Sequence, residues 1–247
     1  MSGLIAAGSI VLGPTGGGSS GPTTLPEYLA SIGKNSWYAR FIVGTDLWTG
    51  TNLTGSAVTL DSATTIGSWG YDTANTSNFT AYWTTTGGTT AQPYYKTQNG
   101  VGAVVGTGNS NGAGDQRYMQ LTSTTALNGA YSMIVRVPLL YRDSKSVYSH
   151  NGTTVYFASA AGAGTLISVA ASGQSAIDQI IHVVRSTPGT SSANCLIGIS
   201  QTGTGHNNFA PYLGRRSSAY GESAVREIWF TPQLTATELY NAMTFVT

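Results

Sequence analysis

Four glutamates (Glu27, Glu222, Glu227, Glu238), three histidines (His150, His182, His206) and one cysteine, Cys195, are the first places to look for chemistry in this 247-residue chain. Glycoside hydrolysis would need two carboxyl groups about 5–9 Å apart across the scissile bond. Glu222 and Glu227 are the nearest pair in sequence, but Glu222 falls in a turn, and an odd separation gives the two opposite pleat parity. The histidines stand singly, with no second ligand at the short spacing that zinc sites use. His182 lies in an apolar run and reads as a core or interface histidine. Cys195, beside Leu196-Ile197, reads as a small buried hydrophobe, and a lone cysteine excludes an intrachain disulfide. No Gly-x-Ser-x-Gly elbow occurs, and the glycine-rich runs at 13–21 and 106–114 lack the Lys-Ser/Thr of a phosphate loop. Asp72, Asn75 and Asn78 could offer hard oxygen ligands to calcium from one loop, but the same residues make an ordinary polar turn. The expectation is a non-enzyme with no cofactor and no assigned metal.

Binding is the better supported chemistry. Sugar sites combine an aromatic platform with neutral hydrogen-bonding side chains. Trp69, Tyr71, Trp83, Tyr94 and Tyr95 lie in a polar region that also holds Asn75, Asn78 and Gln92. His206, Asn207 and Asn208, with Tyr212 nearby, form a second candidate cluster. Against this stands the tendency of large aromatic side chains to be buried, which the sequence alone does not resolve.

Stepping out to composition, charged residues are 9% of the chain against roughly 25% in an average globular protein. Glycine numbers 32, Ser and Thr together make up about a quarter, and aromatics reach 10%. Such a chain is too rich in aromatic and β-branched residues for disorder and suits pleated strands joined by tight turns. Net charge is +1 and Arg215-Arg216 is the only basic pair, so no nucleic-acid partner is expected. The apolar run Leu4 to Leu12 is too short to span a bilayer and lacks a basic flank, so neither membrane insertion nor a signal peptide is expected. Few charges suit a protein held in an assembly or outside a cell better than a free cytosolic enzyme.

Along the chain, residues 1–25 read as an arm whose Gly13–Pro22 stretch is a flexible Gly/Ser/Pro linker. Leu4, Ile5, Ile10, Val11 and Leu12 would dock on a partner, as a strand added to a sheet edge or a wrap within an oligomer. Residues 26–247 read as one domain. Pro26 to Ile32 predicts a short helix stopped by Gly33. Strands are expected at Trp37–Val43, Ser56–Ile66, Tyr131–Leu139, Thr153–Phe157, Thr165–Ala170, Gln179–Arg185, Cys195–Ser200 and Ser223–Phe230, with hairpin turns at Asn99-Gly100, Asn128-Gly129 and Asn151-Gly152. Thr235 and Glu238 have capping-box spacing and predict a short C-terminal helix. The fold class is all-β, a two-sheet antiparallel sandwich or barrel.

Several of these pieces resemble the concanavalin A-like lectin/glucanase superfamily, the jelly roll shared with laminin-G-like domains. The likeness lies in 99–121 (NGVGAVVGTGNSNGAGDQRYMQL), 131–137, QIIHVVR at 179–185, and the late strand Glu227-Ile228-Trp229-Phe230 followed by Leu234-Thr235-Ala236-Thr237-Glu238. It covers about residues 36–247, with Ile180-Ile181 where the family has a middle-strand Trp. The resemblance implies a jelly roll without the Glu-x-Asp-x-Glu strand of the glucanases, leaving polysaccharide hydrolysis a remote alternative. Such domains recur in bacteriophage fibres, head decorations and tail appendages. The implied function is a virion structural protein, made in the host cytoplasm and displayed on the virion surface. Its expected partners are itself, as a homotrimer or other symmetric oligomer, and other capsid or tail proteins through the arm. Recognition of host surface glycans is the alternative.

Overall fold

The computed structural model describes residues 21–75, 79–85, 92–98, 100–106, 119–122, 131–137, 145–150, 153–159, 166–170, 180–184, 195–201, 212–213, 215–216, 219–220 and 223–246. Within them the chain is mostly antiparallel β-structure with two short helices. A six-stranded sheet runs, edge to edge, Ile180–Val184, Cys195–Gln201, Tyr131–Val137, Glu227–Pro232, Ala39–Ile42 and Thr73–Ala74. An eight-stranded sheet runs Leu166–Ala170, Thr153–Ser159, Lys145–His150, Tyr212–Leu213, Met119–Leu121, Trp83–Thr84, Ser68–Trp69 and Leu47–Trp48. Ser223–Val225, Val101–Gly106 and Tyr94–Gln98 form a third, three-stranded sheet, and Arg215–Arg216 pairs with Ala219–Tyr220.

Strand alternation sorts the side chains between two apolar clusters. On the six-stranded sheet, Phe41, Met133, Val135, Ile228 and Phe230 join one cluster with Leu47, Trp69, Trp83, Met119, Leu121 and Leu213 of the eight-stranded sheet. Phe41 is its aromatic centre, with edge-on contacts to Trp69, Tyr71, Phe79, Trp83 and Phe230 at centroid distances of 5.7–6.4 Å. The residues of opposite parity, Ile134 and Trp229, face away and pack with the helices.

Helix α1, Leu25–Ser31, and helix α2, Ala236–Ala242, both open on complete capping boxes. In α1, Thr24 accepts from the Glu27 amide while the Glu27 carboxylate accepts from the Thr24 amide. Thr235 and Glu238 do the same for α2, as their spacing predicts. Past α1, Gly33 takes φ +69°, a left-handed conformation that ends the helix without side-chain strain. Leu25 and Leu29 of α1 meet Leu239 and Ala242 of α2 over Ile134 and Trp229. Close approach of α2 to the sheet depends on Gly198, where a Cβ would lie 2.8 Å from Leu239 Cγ.

The structure corrects three expected strands. Trp37–Val43 shortens to Ala39–Ile42, with Trp37 in the core stacked on Phe79. Ser56–Ile66 is irregular apart from single bridges at Ala57 and Thr65, because its amides bond to several different partners, Leu47, Thr49, Pro93 and Tyr95 among them, rather than to one neighbouring strand. Ser223–Phe230 breaks at Arg226, whose amide donates to Arg136 and whose carbonyl accepts from Val43. That break lets one half pair in the three-stranded sheet and the other in the six-stranded sheet. Where hairpin turns are expected, Gln98 pairs with Val101 and His150 with Thr153, and Gly100 has φ +78°; Asn99, Asn151 and Gly152 themselves lie outside the described residues. Asn128-Gly129 lies outside the described residues.

Removing the aromatic centre should leave a cavity the surrounding rings cannot close. Phe41→Ala is expected to cost about 3–5 kcal/mol in urea denaturation. Thr235→Ala, which removes one cap, is expected to cost about 1 kcal/mol.

Candidate functional site

The densest polar constellation among the described residues sits on the helix-bearing face of the six-stranded sheet. Glu227 and Trp229 are two residues apart on one strand and so share that face. Register sets Arg136 opposite Glu227 and Arg40 opposite Trp229. Glu227 Oε1 accepts from Arg40 Nε at 2.8 Å and from Trp229 Nε1 at 2.8 Å. Arg136 Nε lies 3.2 Å from Oε2, an ion pair whose angle falls short of a hydrogen bond. Arg40 also stands 5.5 Å from the Trp229 ring centroid and donates to Asp72 at 3.2 Å. Glu227 is 2% exposed and Arg136 7%. Burial draws the Arg136 guanidinium below its ordinary pKa, and the Glu227 carboxylate opposes that shift.

A glycosidase acid or nucleophile must face substrate, whereas this carboxylate is enclosed and both its oxygens face cations or an indole. Its chemistry here is structural: a buried charge held by opposite charges and hydrogen bonds. Asp72 and Asn75, the calcium candidates, are also engaged. Asp72 accepts from Arg40 and Thr73, and the Asn75 amide donates to the Asn35 carbonyl at 3.0 Å. Asn78 lies outside the described residues.

The aromatic candidates divide by pleat parity. Leu47, Trp69, Trp83 and Leu121 form one cross-strand row of the eight-stranded sheet, facing the core. Trp69 and Trp83 are 0% exposed, so neither offers a stacking surface to a sugar, and that expectation is withdrawn. Tyr71 is half-buried and packs edge-on to Phe41 and Phe79. Tyr95 is half-buried beneath Gly102 and Gly44, and burial raises the pKa of its phenol. Tyr94 is half-buried, with Lys96 Nζ 5.7 Å from its ring centroid. Next to it the Asp61 carboxylate accepts from both the hydroxyl and the amide of Thr97, which holds it below the usual carboxylate pKa. His206, Asn207 and Asn208, like the arm residues Leu4, Ile5, Ile10, Val11 and Leu12, lie outside the described residues.

The row of opposite parity is Trp48, Ser68, Thr84 and Gln120, on the face turned from the core. Tyr82 and Thr122 extend it by one step, joined by two backbone-centred bonds of 2.9 Å. The Trp48 indole donates to Asp46 Oδ1 at 2.7 Å and the Tyr82 hydroxyl to Asn52 Oδ1 at 3.1 Å. The loop between Trp48 and Ala57 crosses this face, with its Gly50 and Thr51 carbonyls accepting from Ser68 and Thr84. Gln120 is half-buried, and its amide has no hydrogen bond among the described residues. The result is two pinned, half-buried aromatic rings among amides, hydroxyls and the Asp46 carboxylate, a surface suited to a polyol. Single-residue alternation within 47–48, 68–69 and 82–84 carries this information. It becomes readable only once the inward set is known.

Comparison with protein-family models, with curated proteins and with solved structures finds no match. Among the described residues there is no cluster of three metal-ligating side chains and no helix long and apolar enough to cross a membrane.

Glu227→Gln strands two arginines around a neutral amide and is expected to destabilise by about 3–5 kcal/mol, read by chemical denaturation. The paired substitution Glu227→Leu with Arg136→Met should recover much of that loss, since a well-packed apolar pair avoids the desolvation cost. The Asp61 clamp has a lowered folded-state pKa, so its stabilisation is present above the unfolded carboxylate value and is lost as pH falls through the folded one. Thr97→Val should move the Asp61 titration, followed by carboxyl NMR, back up toward the ordinary value.

Proposed function

We propose that the chain is a non-catalytic bacteriophage virion structural protein, a head decoration, fibre or tail appendage. In this reading it displays a two-sheet jelly roll on the virion surface and docks through its N-terminal arm, cut back from 1–25 to residues 1–22 because Thr24 caps α1 and Leu25 is buried in it, onto copies of itself and other virion proteins. The observation that carries the non-catalytic part is Glu227. It is the late-strand acidic residue of the concanavalin A-like pattern, and here it is enclosed by Arg40, Arg136 and Trp229 rather than presented to substrate. The low charge, the hydroxyl-rich strands and the uncharged Leu4–Leu12 segment support a place in an assembly. One apolar cluster built from both large sheets supports the jelly-roll reading.

A second reading, carbohydrate recognition, is favoured by the outward face of the eight-stranded sheet. Trp48, Tyr82 and Gln120 replace Trp69 and Trp83 as its residues.

Two measurements test these readings. Light scattering on the full chain is expected to give a closed oligomer, and on a chain starting at Thr23 a folded monomer. An unchanged mass after truncation would remove the arm-docking reading. For the second, host-type glycans should change tryptophan fluorescence with the native chain and fail to do so with Trp48→Ala. Silence across a glycan panel would set that reading aside.

A further inference from the structure

One charged residue stands on the outward face around Trp48 and Tyr82. Strand register sets two rows there, Trp48–Ser68–Thr84–Gln120 and, one step on, Asp46–Gly70–Tyr82–Thr122. These eight residues and the crossing loop between Trp48 and Ala57 contain no charged residue other than Asp46.

Asp46 is exposed, at φ +52°, a conformation that Asp and Asn adopt more readily than most side chains. Its Oδ1 accepts from the Trp48 indole at 2.7 Å. Its Oδ2 lies over Gly70, where a Cβ would collide with it, so glycine is what admits the carboxylate. No donor among the described residues reaches Oδ2. Tyr82 follows Gly70 in the row, and its hydroxyl donates to Asn52 Oδ1 at 3.1 Å. That bond leaves the exposed Asn52 amide nitrogen as a donor, without an acceptor among the described residues.

The face therefore offers an anionic acceptor and a neutral donor beside two aromatic rings. A sugar hydroxyl both donates and accepts and so matches the pair, whereas an ammonium only donates and a carboxylate only accepts. An acidic sugar would also meet the uncompensated charge of Oδ2. Resting on the carbohydrate reading above, we infer that this face selects uncharged sugars and that Asp46 sets the selection. A sugar hydroxyl donates to Oδ2 while the sugar lies against the Trp48 and Tyr82 side chains, and the same oxygen turns uronic acids away. Gly70 is a positioning residue for that oxygen.

The test is titration of the full chain with oligosaccharides, followed by tryptophan fluorescence at low and high salt. The panel pairs neutral hexose oligosaccharides with the same chains ending in a uronic acid, and adds hexosamine oligosaccharides with free amines. Native chain, Asp46→Asn, Gly70→Ala and Trp48→Ala are compared. In Asp46→Asn the side-chain carbonyl keeps the indole bond and places an amide NH2 where the acceptor stood, and Asn suits the backbone conformation. The native chain is expected to bind the uronic acid partners about tenfold more weakly than the neutral chains, a gap that narrows at high salt. Asp46→Asn should lose about tenfold in affinity for the neutral chains and lose the gap. Gly70→Ala, which displaces the carboxylate without removing it, should weaken neutral binding too. Because the native chain's ranking of the panel needs no variant, a misfolded Gly70→Ala leaves the test intact. Equal native affinity for acidic and neutral partners, tighter binding of free amines, or undiminished neutral binding by Asp46→Asn would each overturn the inference. If Trp48→Ala still abolishes binding in those cases, the carbohydrate reading survives. Silence of the native chain across the panel would remove both.

Discussion

A single buried carboxylate fixes how the strands of the six-stranded sheet line up. Glu227 is satisfied only where Arg136 on one neighbouring strand, Arg40 on the other and Trp229 on its own all converge. A slip of one residue on any of these strands would exchange inward and outward sets, placing the charge among Phe41, Phe79 and Phe230. Leaving that ion without partners costs several kcal/mol, a large fraction of the net stability of a domain this size. The network thus acts as a register pin as well as a set of contacts.

The pin allows one strand to serve two layers. With Glu227 and Trp229 held outward, Ile228 and Phe230 enter the aromatic cluster while Trp229 supports α1 and α2. The break at Arg226 extends the same logic upstream, sending Ser223–Val225 to a different sheet. Both helices are only seven residues long, below the length at which isolated helices persist. They form because capping boxes satisfy their first amides and because Leu25, Leu29 and Leu239 bury against the sheet.

Composition and architecture meet on the eight-stranded sheet. With so few charges, several of its polar groups pair through hydroxyls and carbonyls: Ser68 with Gly50, Thr84 with Thr51, Thr85 with Gly67. The crossing loop that makes the first two of these bonds holds Leu53 at φ +54°, while Asp46 at φ +52° anchors the Trp48 indole. Non-glycine residues in this region carry local strain, which the surrounding bonds sustain. A face with two anchored aromatic rings, one held by the Asp46 carboxylate, is the outcome, and it is the basis of the carbohydrate reading.

The sequence by itself determined the β-rich class, the capping box of the C-terminal helix, the turn at Gly100 and most long strands. These depend on local backbone preference and on periods of two to four residues. It also marked Glu227 as the notable acidic residue of a late strand. What it left open is which of two adjacent aromatics faces in. Trp69 and Trp83 stood out by type and by polar neighbours, and both are core residues, whereas Trp48 and Tyr82 face outward. Alternation gives two complementary sets, and a strand two residues long cannot choose between them. Only the pairing across four strands, and the apolar cluster that one set joins, decides. The role of Glu227 was settled the same way, because Arg40 and Arg136 lie far from it in sequence and meet it only through strand register.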